Sequence, residues 1–309
     1  MIRNEIINGL ITLDKLCNTF IVMFISVNKL ANDLPKDKPD NLAANALQEG
    51  LGGQFGEMRT MMQYLFQNFN FRGKAKPYQD LIKSVASEEI GHVELISTTI
   101  GMLLEGSTRS QPPNKLPLEI ALQAGNIHHF LVGAQGAMPV DSAGNPWSGS
   151  YVYNSGNLVL DLLYNLMLEC TGRLQKCRLY AMSDNKSFRA TVSYLIVRDL
   201  AHEKVFAKAL ESLGVDWNKT LPIPQTDSSK MPEVKKLEER NLHNQQWTFS
   251  SESSGLSEIF SGASPFGDGE LEALDGLPDG FDIPQMPEAP EEYSPGFDKE
   301  LKQKAMPKP

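Results

Sequence analysis

Two short patterns, Glu89-x-x-His92 and Asp199-x-x-His202, constrain this 309-residue chain more than any other feature. Leu81, Val85, Glu89, His92, Ile96 and Ile100 recur at steps of three and four, so they share one face of a helix. Val192, Leu195, Asp199, His202, Phe206 and Leu210 repeat the arrangement. Each row is apolar except at its middle, where a carboxylate and an imidazole stand one turn apart. Burying both groups without partners is strongly unfavourable. A shared cation satisfies them, because carboxylate oxygen and neutral imidazole are both good ligands for divalent metals. A lone pair of this kind is weak, since such spacings arise by chance on exposed helices. Two matched pairs in a chain with only five histidines carry more weight.

A single carboxylate precedes each pair on a comparable helical face. Glu57 lies 32 residues before Glu89, and Glu169 lies 30 residues before Asp199. Near-equal intervals are what two antiparallel helical hairpins produce. Periodicity and turn signals predict helices over 41–69, 77–104, 157–182 and 187–213. Gly50, Gly52, Gly53 and Gly56 interrupt the first and imply that a backbone or a ligand comes close there. Tyr64 shares the Glu57 face, either as core packing or as a hydrogen-bond partner of the site. Arg173, one turn beyond Glu169, reads as an ordinary intrahelical ion pair. Residues 106–155 form a long Pro- and Gly-rich connection with a short helix over 116–131. Such a length makes sense if the chain must cross the whole bundle. His128 and His129 fall within it without a matched carboxylate and read as satisfied or exposed side chains. The fold class is all-α: a four-helix bundle with one long crossover and an extended, irregular C-terminal tail.

Charge divides the chain unevenly. The net charge is −9, and residues 249–309 hold thirteen acidic against four basic side chains, with eight of the nineteen prolines. Such a segment is not expected to fold by its own burial, so it would be disordered or draped over a neighbouring subunit. Three divisions follow: an N-terminal extension over 1–22, the bundle over 23–248 and the acidic tail over 249–309. No basic patch points to nucleic acid. The apolar run over 19–27 is too short to span a bilayer, so no membrane association is expected. Cys17, Cys170 and Cys177 make no disulfide framework and read as reduced cytoplasmic thiols.

With these residues in view, the chain resembles the manganese catalases, the non-haem catalases of the ferritin-like superfamily. The matching stretches are Leu51-Gly-Gly-Gln-Phe-Gly-Glu57, Met62-Gln-Tyr-Leu65, Glu88-Glu-Ile-Gly-His-Val-Glu94, Ser155-Gly-Asn-Leu-Val159, Arg173-Leu-Gln175 and Asp199-x-x-His202. They occur in the family's order, from about residue 23 to the tail. The resemblance implies a ferritin-like bundle that binds two manganese ions per subunit and disproportionates hydrogen peroxide. Glu57 and His92 would hold one ion, Glu169 and His202 the other, and Glu89 would bridge them. Asp199 takes a place that is commonly Glu and, with Glu89, would hold protons; Tyr64, Asp199 and Arg173 would lie just outside the ligands. A homohexamer with tails wrapped around neighbours is usual for the family. A di-iron ferritin-like oxidase or iron-binding protein has nearly the same ligands, and a structural coat protein with a vestigial site is the rival from another class.

Overall fold

The computed structural model describes residues 27–104, 126–133, 135–249 and 255–286. Capping chemistry sets where its helices begin. The Asp40 carboxylate accepts from the Ala43 amide and opens α1 (Asn41–Gly52). A separate helix, α2 (Glu57–Asn68), begins directly at Glu57, where the helix N-terminus favours a carboxylate. Pro77 stands in the first turn of α3 (Lys76–Leu104), where its missing amide is no loss. After α4 (His128–Leu131), the side chains of Asn157 and Asn185 cap α5 (Leu158–Tyr180) and α6 (Lys186–Ser212). α5 packs on α6, α1 and α2 pack on α3, and α3 packs on α6, which closes the bundle.

The single helix expected over 41–69 is broken at residues 53–56. At Gly52 the close approach comes from the crossover. A Cβ on Gly52 would stand 2.2 Å from the Val140 carbonyl oxygen, and Gln48 donates to that same oxygen at 2.7 Å. Gly52 lets the crossover lie directly on α1, whereas Gly53 and Gly56 turn against the end of α1 itself, where a Cβ would stand 2.4 Å from the Glu49 carbonyl oxygen and 2.6 Å from that of Leu51, respectively. Of the helix expected over 116–131, residues 116–125 lie outside the described residues, and only α4 is seen.

Beyond α6 come α7 (Trp217–Thr220) and α8 (Pro232–Glu239). The tail then corrects a second expectation. α9 (Gly255–Ile259) packs against α3, and Leu256 and Phe260 are fully buried. β1 (Gln245–Trp247), β2 (Gly262–Ala263) and β3 (Glu270–Leu274) form a sheet of order β1-β3-β2, with β1 parallel and β2 antiparallel to β3. Residues 255–286 therefore fold onto their own bundle, because a few well-spaced apolar side chains suffice to dock an otherwise acidic segment. Phe281 pairs with Leu30 through two backbone hydrogen bonds of 2.8 Å. Residues 1–22 and the end of the tail, 287–309, lie outside the described residues.

Two apolar clusters fill the bundle. One includes Leu47, Ile96, Phe188 and Val192, the other Tyr64, Leu81, Leu166 and Phe206. Along α3 and α6 the polar side chains singled out above fall between them. No helix among the described residues is long and apolar enough to cross a membrane.

Candidate metal centre

Four helices deliver five side chains to that polar layer. α2 supplies Glu57 from its first turn, α3 supplies Glu89 and His92, α5 supplies Glu169 and α6 supplies His202, each no more than 1% exposed. Ligand atoms of Glu57, Glu89 and His92 lie within 4.8 Å of one another, and so do those of Glu89, Glu169 and His202. Glu89 belongs to both groups. Its Oε2 is 3.0 Å from His92 Nδ1, and its Oε1 is 3.0 Å from His202 Nδ1. Glu57 Oε2 approaches His92 Nδ1 at 3.4 Å, and Glu169 Oε1 approaches His202 Nδ1 at 3.6 Å. The two rings are nearly parallel, 5.6 Å apart.

Three buried carboxylates converging on two imidazoles call for positive charge. Glu89 Oε1 and His202 Nδ1 have no well-formed hydrogen bond among the described residues. Two divalent ions fit this donor set, and oxygen with imidazole nitrogen suits manganese or iron. Without them, burial opposes protonation of both imidazoles but is outweighed, chiefly by Glu89 for His92 and Glu88 for His202, so both take protons well above the usual histidine range. Metal binding must displace those protons.

The carboxylates of this layer are themselves held. Lys176 Nζ lies 2.5 Å from Glu57 Oε1 and 2.7 Å from Asp199 Oδ2. Burial alone would raise the Glu57 pKa, but this ammonium keeps it far below the usual carboxylate range. Asp199 is pushed well up by burial and by Glu57 and Glu169, against the pull of Lys176. The Tyr64 hydroxyl donates to Glu169 Oε1 at 2.5 Å, so it packs in the core and also serves the site. Thr60 donates to Glu89 Oε2 at 3.0 Å. Arg173 corrects an expectation: it makes no intrahelical pair with Glu169 but crosses the α5–α6 seam to grip Glu203 at 2.7 and 3.1 Å. Burial pushes Glu203 up to about 7 despite that grip. His129 lies outside both ligand groups, with Nδ1 3.1 Å from the Gly136 carbonyl oxygen.

The profile of the manganese containing catalases matches residues 23–308. The chain belongs to that family. A manganese catalase of Bacillus subtilis is 42% identical over 203 residues, covering 65% of this chain and 74% of that protein. A manganese catalase of Lactiplantibacillus plantarum is 37% identical over 202 residues, covering 65% and 76%. Among solved structures, the wild-type KatB manganese catalase from Anabaena aligns with a TM-score of 0.55 at 22% identity, covering 82% of this chain and all of that one. That likeness carries the ferritin-like fold.

The sequence reading singles out neither Lys176 nor Glu88. Lys176 lies seven residues after Glu169, two turns along the same face, a spacing that would have found it. Glu88 is four residues before His92 and so flanks the same ring.

Proposed function

We propose that the chain disproportionates hydrogen peroxide to water and dioxygen, with Glu57 and His92 holding one manganese ion, Glu169 and His202 the other, and Glu89 bridging the two. The sharing of Glu89 between two ligand groups carries this reading. Bound there, the two ions supply one electron each, matching the two-electron interconversion of peroxide with water or with dioxygen. One peroxide gains two electrons and two protons to give two waters, and a second loses both to give dioxygen. The protein must therefore keep protons between the two halves of the cycle. Asp199, whose affinity for a proton is raised while Lys176 stays charged beside it, is suited to hold one. Glu89, facing both imidazoles, is suited to pass protons at the centre. Lys176 fixes the Glu57 carboxylate and Tyr64 fixes that of Glu169. Burial of the whole layer excludes bulky reductants, so peroxide serves as both electron donor and acceptor.

The proposal extends to a cytoplasmic homohexamer. Leu160, Met167 and Leu174, about half exposed at seven-residue intervals on α5, offer an apolar stripe that assembly would cover. Cys170 and Cys177 are free thiols, as a reducing compartment would keep them. The decisive experiment pairs metal analysis of the purified protein with an oxygen-electrode trace. Two manganese ions per chain and oxygen release from peroxide without added reductant are expected. Iron in their place, with no oxygen release, would select the di-iron oxidase instead.

A further inference from the structure

The two imidazoles turn their Nδ1 atoms toward the ligand carboxylates. Their Nε2 atoms face the other way, and both meet one residue. Glu88 Oε1 lies 3.5 Å from His92 Nε2, and Glu88 Oε2 lies 3.3 Å from His202 Nε2. A histidine that binds metal must be neutral, with its remaining proton on the nitrogen away from the ion. A carboxylate facing that nitrogen fixes the tautomer and the ring orientation. Here a single carboxylate faces two rings.

Glu88 is buried and cannot swing. Arg198 grips both its oxygens, with Nη2 3.1 Å from Oε2, and Gln246 Nε2 donates to Oε2 at 2.8 Å. Arg198 is anchored in turn, donating to the Gln245 carbonyl at 2.8 Å, to the Leu242 carbonyl and to Gln246 Oε1 at 2.9 Å. Gln246 is fully buried in the middle of β1, which pairs with β3 across Gln245–Trp247. A continuous set of polar contacts thus joins the two rings to a sheet made from the C-terminal segment.

We propose that Glu88, clamped by Arg198 and Gln246, is the positioning residue for both imidazoles at once, so that the C-terminal sheet sets the retention of both metal ions together. This rests on the metal centre proposed above. A carboxylate that orients one ligating histidine typically changes metal affinity by about 10–100-fold when removed. Because Glu88 spans both rings, its loss falls on both ions. Lys176 and Tyr64, in contrast, each touch one side.

The test follows manganese leaving the metal-loaded full-length protein under excess chelator, with the metal content per chain and the thermal melt recorded together. Glu88→Gln is expected to release both ions in one phase, about 10-fold faster or more. Gln246→Leu leaves the Glu88–Arg198 ion pair in place and removes only the neutral clamp, so it decides the matter if Glu88→Gln fails to fold. It is expected to fold with a lowered melting temperature, since two buried hydrogen bonds to charged groups are lost, and to release both ions together several-fold faster at a temperature well below that melt. Lys235→Ala is the control, since that side chain is exposed on α8, outside this set of contacts. It should behave as the parent. Retention equal to the parent in Gln246→Leu, or loss of only one ion in either variant, overturns the proposal. If the parent itself binds no manganese, the metal centre is wrong and this inference falls with it.

Discussion

The two halves of the proposed centre offer the same donor types but are supported differently. On the α2–α3 side, Glu57 is held by an ammonium, Lys176, which is shared with Asp199. On the α5–α6 side, Glu169 is held by a neutral phenol, Tyr64. A cation beside a ligand cancels part of its charge and fixes it with a strong contact, whereas a hydroxyl orients the ligand and leaves its charge intact. The two positions therefore offer an incoming metal different net charge, although their donor atoms match. The same ammonium reaches across to Asp199 on α6, the residue proposed above to hold a proton.

The largest effect should come from removing what the halves share. Glu89→Ala is expected to abolish retention of both ions and lower oxygen release by about 100-fold or more, exceeding the loss from any outlying residue. Glu57→Ala or His202→Ala should each cost one ion and most activity; full oxygen release in either would defeat the assignment. Next comes Lys176→Met, which leaves Glu57 and Asp199 buried without their cation. Breaking a buried pair from one side costs about 3–5 kcal/mol, read as a lower melting temperature of the metal-free protein. Tyr64→Phe removes one hydrogen bond to a charged group, about 1.5–3 kcal/mol. Equal melting temperatures for these two variants would erase the distinction between the halves. The smallest effect lies outside both. His243, partly buried and beside Lys204, is pushed down to about 4 from an ordinary 6.5. The unfolded chain takes that proton near 6.5 and the folded chain only near 4, so stability falls as pH drops through this window. His243→Gln should flatten that part of the acid-unfolding profile without changing metal content.

Much of this was legible in the residues because helix period and capping are local. Asn157 and the Pro77 signal mark helix starts within the chain itself, and the steps of three and four around Glu89 and Asp199 assign faces without any tertiary information. Contacts chosen across helices were not legible in the same way. Arg173 has Glu169 one turn away yet grips Glu203, a choice set by how α5 lies on α6. The glycines before Glu57 mark a close approach correctly in kind, but at Gly52 it is Val140, far along the chain, that supplies the approaching backbone, and at Gly53 and Gly56 it is the end of α1. The tail misleads for a compositional reason: its many acids dilute Leu256, Phe260 and Leu271, whose burial depends on position rather than on average polarity.

The meeting of Leu30 with Phe281 has a consequence for how the chain is made. Lys29 and Asp282, the ion pair beside that bridge, are 253 residues apart. During synthesis the helices leave the ribosome well before this partner does, and closing so long a loop is entropically slow to be repaid. A nascent chain halted before residue 281 would keep a finished bundle beneath an unmated edge at Leu30. Protease sensitivity near that edge would then report whether translation had run past Phe281.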